Sequence, residues 1–178
     1  MIDWKAEISR IVSWKQVIAE NDNQKAYPWH LPSVAAAAQD IAAAENAAGM
    51  AFSTQHKEFL RYADGWQGFL ITIDLFGTKD FLDGRAEKVM QREEIRSFTK
   101  KLGLHEGEFV PIGASEAELD IFLHISPSAE GLPGGVVWFA SEEVDRFESF
   151  VDFFAAMVNY NARIAHRVAG GVSLPDMP

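Results

Sequence analysis

The 178-residue chain contains no cysteine, which excludes disulfides and thiolate metal ligands and makes a reducing cytoplasm the expected compartment. Basic residues are scarce. Sixteen lysines and arginines stand against 26 aspartates and glutamates, a formal net charge of −10. Binding to nucleic acid is therefore not expected, because phosphates require a basic patch. An acidic surface suits a basic protein partner, and it also serves plain solubility. Long hydrophobic runs are absent as well: nothing approaches the ~18 apolar residues of a membrane-spanning helix. The first twenty residues, MIDWKAEISRIVSWKQVIAE, place charges among the apolar positions, so neither a signal peptide nor a membrane span is expected.

Catalytic signatures are missing too. No serine lies in a G-x-S-x-G elbow, and the glycines form neither a Walker loop nor a dinucleotide fingerprint. The five histidines, His30, His56, His105, His124 and His166, show no H-E-x-x-H or H-x-x-E-H spacing. Zinc needs three or four converging ligands, so no metal and no cofactor is expected. His124 and Asp120 stand four apart on one strand, a spacing that fits a surface pair better than a ligand set.

What is present suffices for one core, since 48% of the residues are hydrophobic. Trp4, Ile8, Ile11, Val12 and Ile18 form a helical stripe that ends at NDNQ, and YPWHLP follows as a rigid connector. SVAAAAQDIAAAENAAG predicts a second helix with Ser33 as N-cap and Gly49 as stop. A short third helix is capped by Ser53 or Thr54 and buries Phe59, Leu60 and Ala63. Ile71, Ile73 and Leu75 then alternate as a strand, and RAEKVMQREEIRSFTKKLG reads as a charged surface helix. Strands are expected in EFVPIG, in LDIFLHIS, in GGVVWFA after a Pro133-Gly134 turn, and near Val144 to Phe147. The last helix carries Phe150, Phe153, Phe154, Met157, Val158, Ile164, Ala165 and Val168 on one face, behind a capping box at Ser149 and Asp152. The pattern predicts an α+β domain: a mostly antiparallel sheet with helices packed on one face. The divisions are residues 1–32 for the first helix and connector, 33–169 for the domain, and 170–178 for a loose tail.

One stretch invites a functional reading. In YADGWQGFLITIDLFGTKDFLDG, aspartates are interleaved with glycines and aromatic residues. Asp64-Gly65 and Asp83-Gly84 are ordinary turn chemistry. Asp74 and Asp80 could serve a small hydrolase if burial set their proton affinities apart. With Trp66 and Phe69 at the sheet edge, Asp64, Asp80 and Asp83 could instead form an acidic and aromatic rim for a protein partner.

The succession DIAAAENAAGMAFSTQHKEFLRYADGW, LFGTKDFL, FVPIGAS and DRFESF resembles the SUKH superfamily, which includes a fungal regulator of cell-wall synthesis and bacterial immunity proteins against polymorphic toxins. Ile41, Glu45, Gly49, Phe59, Leu60, Asp64, Gly65 and Trp66 occupy the family's pattern, over about residues 33 to 155. Phe52 to Thr54 depart from it, replacing a Leu-Pro helix start. The resemblance implies a non-catalytic intracellular protein-binding domain, an immunity protein that neutralises a toxin, with no catalytic residue to carry over. The partner expected is a basic toxin domain, met by a monomer or weak dimer. A regulatory adaptor binding a host protein is the alternative, and the paired-aspartate hydrolase a further one.

Overall fold

A computed structural model describes residues 2–127 and 134–170. Asp3 opens α1 (Trp4–Asn21) by accepting a hydrogen bond from the Ala6 amide at 3.2 Å. The stripe of α1 turns inward, burying Trp4, Ile11 and Ile18. The Trp4 ring lies 5.6 Å from Phe59 and 5.3 Å from Phe154, both edge-on contacts of the kind aromatic quadrupoles favour. Phe154 belongs to α7 (Phe150–Val168), whose N-cap Ser149 accepts from the Asp152 amide. These two long helices pack on each other, so the first helix shares the core of the rest. Among the described residues no helix is long and apolar enough to cross a membrane.

The sheet is a six-stranded antiparallel meander, β1 (Trp66–Leu70), β2 (Ile73–Leu75), β3 (Phe109–Ser115), β4 (Ile121–Ile125), β5 (Gly135–Ala140) and β6 (Glu142–Phe147), in spatial order β1 to β6. The α+β class therefore holds, but the helices are not confined to one face. β3 and β4 are buried at every residue, so both their faces are covered. On one face Phe122 meets Phe153 of α7 at 4.8 Å. Ile121, one residue earlier, points the other way and pairs in register with Phe139, whose ring lies tilted 4.4 Å from that of Phe98 of α6 (Glu93–Lys101).

Three local expectations change. The alanine run starts its helix late: α2 spans Ala38–Ala48, with Gly49 in the left-handed region at φ +65° as expected. Ser33 is not its cap. The Ser33 amide donates to the Gly65 carbonyl at 3.0 Å and the Ala36 amide to Leu60 at 2.9 Å, so tertiary hydrogen bonds hold this stretch out of the helix against its helix propensity. Ile71 does not continue a strand with Ile73. It sits in the β1–β2 turn at φ +55° and is 40% exposed. The charged helix divides into α5 (Arg85–Met90) and α6, because Arg92 adopts an extended conformation. Buried Ala86, Val89, Ile95 and Phe98 anchor both pieces.

The short α3 (Thr54–Leu60) takes Ser53 as its cap. A further helix, α4 (Thr78–Leu82), lies where the sequence suggested only a turn. Leu119 falls outside β4 and is exposed. Pro133 and the tail 171–178 lie outside the described residues.

Candidate functional site

Three aspartates of the 62–84 stretch gather at one end of the sheet, in a polar cleft of about 320 Å³ lined by Asp64, Asp74, Asp80, Arg85 and Glu116 among others. Its shape depends on two glycines placed back to back. A Cβ on Gly65, which has φ +84°, would lie 2.5 Å from the Gly77 nitrogen, and one on Gly77 would strike the Asp64 carbonyl. Only glycine permits that approach.

Each carboxylate is then tied to the scaffold. Asp64 accepts the Thr78 amide at 2.6 Å and the Thr78 hydroxyl at 2.7 Å, which fixes the start of α4. Asp74 accepts the Gly68 amide at 2.6 Å with one oxygen and Arg85 at 2.7 Å with the other. Asp80 accepts the Gly77 amide at 2.9 Å and Arg85 at 3.0 Å. Exposed Glu116 reaches the same guanidinium at 3.2 Å. Burial works against the Arg85 charge, but its hydrogen bonds to Asp74 and Asp80 hold it above the usual range. The ring of Phe76 supports it from below, 4.9 Å from the guanidinium carbon.

The five expected contact residues thus separate. Trp66 and Phe69 are 1% and 0% exposed, so they form core and offer no surface to a partner. Their strand lies under the connector: the Trp66 indole N–H donates to the His30 carbonyl at 2.7 Å, and Phe69 packs on Phe154 at 5.6 Å. Asp64 and Asp80 are half-buried and internally hydrogen-bonded. Asp83 is exposed, paired with Lys79 at 3.9 Å. Sequence reasoning missed Arg85, the hub of the cleft. Its only signal was position, two residues after an acidic turn.

A second buried cluster lies under α7. His124 does not pair with Asp120, whose carboxylate instead accepts the Trp138 indole N–H at 2.7 Å. His124 turns inward toward His56, ring centroids 6.3 Å apart, and His56 stacks on Phe150 at 4.6 Å. Neither His56 nitrogen has a hydrogen-bond partner. Burial pushes His56 well below its ordinary range, helped by His124, and lowers His124 to about 4. Among the described residues no three histidine or carboxylate groups converge as a metal site.

The family model described as SMI1 / KNR4 family (SUKH-1) matches residues 35–156. The chain belongs to this SUKH-1 family. No curated protein matches it in sequence. The matched span holds α2 through the first turns of α7, and so contains the whole sheet and every charged residue of the Asp64–Arg85 cleft. In this SUKH-1 chain Glu45 binds the Phe52 amide at 2.7 Å and Lys57 at 3.1 Å, which closes the α2–α3 connection where the Leu-Pro start is replaced.

Proposed function

We propose that this SUKH-1 chain is a non-catalytic protein-binding domain of the immunity type, which occupies and neutralises a toxin domain in the cytoplasm. The observation that carries this reading is the state of the cleft carboxylates. All six oxygens of Asp64, Asp74 and Asp80 already accept a hydrogen bond from the chain itself. Acid–base catalysis needs two carboxyl groups whose environments differ, and here one arginine spans Asp74 and Asp80. The hydrolase reading loses its support. What the surface does offer is charge. A net charge of −10 speeds encounter with a basic partner, and toxin domains that act on nucleic acid are basic. Asp83 remains available to such a partner, while Asp64 and Asp80 act through the shape they hold.

Co-expression tests the proposal. Where a toxin domain is encoded beside this chain's gene, cells producing it should grow only when the chain is present, and the two purified proteins should form a stoichiometric complex with the toxin's activity abolished. Growth arrest that the chain does not relieve would overturn it. Stable capture of a host regulatory protein in place of a toxin would establish the adaptor instead.

A further inference from the structure

A groove of about 610 Å³ lies away from the aspartate cleft, between α6 and the β5–β6 hairpin. Its floor is apolar, made by Phe98 and Phe139 with Leu102 beside them. Its walls are acidic: Glu93 and Glu94 rise from α6, Glu142 and Glu143 from β6, against a single lysine, Lys101. Glu93 and Glu94 have a local explanation, since they stand in the first turn of α6, where the helix dipole favours negative charge. The opposite wall has none of that kind. Glu142 and Glu143 follow the hairpin residue Ser141, itself held at φ +68°, and so bring a second pair of acids to the same apolar floor.

Hydrogen bonding with Arg146 keeps Glu143 below its usual carboxylate range, so it stays ionised. β6 is also a sheet edge. Among the described residues its only strand neighbour is β5, and the other side is open to a pairing segment.

We propose that this groove docks an extended basic segment of a partner protein, with apolar side chains over Phe98 and Phe139 and lysines or arginines against Glu93, Glu94 and Glu142. The proposal rests on the immunity reading and names the surface that such a partner uses. Charge complementarity selects the occupant. Glu143 is already held by Arg146, which leaves Glu93, Glu94 and Glu142 around the apolar floor to receive cations while apolar residues cover it. An extended backbone in addition matches the open edge of β6, the mode of recognition that strand edges permit.

The probe is a synthetic twelve-residue peptide of alternating lysine and valine, titrated into the isotopically labelled protein. Amide shifts should concentrate on α6 and the β5–β6 hairpin, and a lysine–serine peptide of equal charge should bind at least about tenfold more weakly, since it lacks the apolar anchor. Reversing Glu94 and Glu142 together (Glu94→Lys, Glu142→Lys) should lower affinity by about tenfold or more. The matched reversal Glu20→Lys with Glu87→Lys, equal in charge but outside the groove, should change it by less than about threefold. Equal losses in the two double variants, or shifts centred on the Asp64–Arg85 cleft, would overturn the proposal. The peptide result stands apart from toxin protection. Protection that survives the groove reversal refutes the groove and leaves the immunity reading intact. Groove binding without protection refutes the immunity reading alone.

Discussion

The two edges of the sheet solve the same problem in opposite ways. An edge strand exposes unpaired amides and carbonyls, which invite pairing with another chain. At β1 the chain covers its own edge. The buried Lys15 ammonium donates to the Gly68 carbonyl, the Pro28 ring lies where a Cβ on Gly68 would fall, and the connector takes hydrogen bonds to and from Trp66 and Gly65. At β6 nothing comparable is laid over the strand among the described residues; the edge carries Glu142, Glu143, Asp145 and Arg146, and the Arg146 amide is met by the carboxylate of Asp145. Covering an edge makes it part of the core. Charging it leaves it in solvent, where it can select a partner. Changes at the first should cost stability, and changes at the second should cost binding.

The largest effect is expected at the covered edge. Trp66→Ala removes a fully buried indole and the hydrogen bond that ties down the connector, and should destabilise by about 3–5 kcal/mol, as large-to-small aromatic core changes do. Denaturant unfolding measures this. A loss below about 1 kcal/mol would show that the connector is not held by this strand.

Beside that edge, Asp64→Asn keeps one acceptor for Thr78 and loses the other, at a cost of about 1–3 kcal/mol. Asp83→Asn should stay within about 0.5 kcal/mol. Equal values for the two would mean that Asp64 is as dispensable to the fold as its exposed neighbour.

Between the edges, the histidine pair sets an acid limit. His56 and His124 bind protons more readily unfolded than folded, so their contribution to stability is complete above the ordinary value of 6.5 and declines as pH falls from there toward about 4. Unfolding free energy measured between pH 7 and 4 should drop, and His124→Leu should flatten the drop. An unchanged slope in the variant would assign the acid sensitivity elsewhere.

Lys15 gives the covered edge an alkaline signature of opposite origin. Burial lowers it from 10.5 to about 8, so the unfolded chain holds the extra proton between those values and stability rises with pH across that window. Lys15→Met should remove the rise. A rise that persists in Lys15→Met would place the titrating group away from this edge.

The smallest effect on stability belongs to the open edge. Glu142→Lys should alter unfolding free energy by less than about 0.5 kcal/mol, because the side chain is solvated. A loss as large as that of Asp64→Asn would make β6 scaffold too, and erase the contrast between the edges.

Periodicity was enough to locate the long elements. The stripes of Trp4 to Ile18 and Phe150 to Val168 are amphipathic over five turns, so burial and helix geometry agree and the sequence alone determines them. The caps at Ser53 and Ser149 are equally local, one side chain reaching an amide three residues on. The family pattern was legible for a related reason: Glu45, Gly49, Asp64 and Gly65 sit at fixed short spacings that connect adjacent elements.

Tertiary structure decided the rest. Residues 33–37 have the composition of a helix and lie outside it, because the Ser33 and Ala36 amides find partners in Gly65 and Leu60, far from them in sequence. Trp66, Phe69 and the aspartates had the composition of an interface. Whether an aromatic residue faces solvent depends on what the connector and α7 lay over it, which no short window of sequence encodes. The acid-walled groove joins Glu93 to Glu143 across a 50-residue interval, and only the antiparallel return of β5 and β6 beside α6 brings those charges to one floor. Charge and periodicity are properties of the chain; their juxtaposition is a property of the fold.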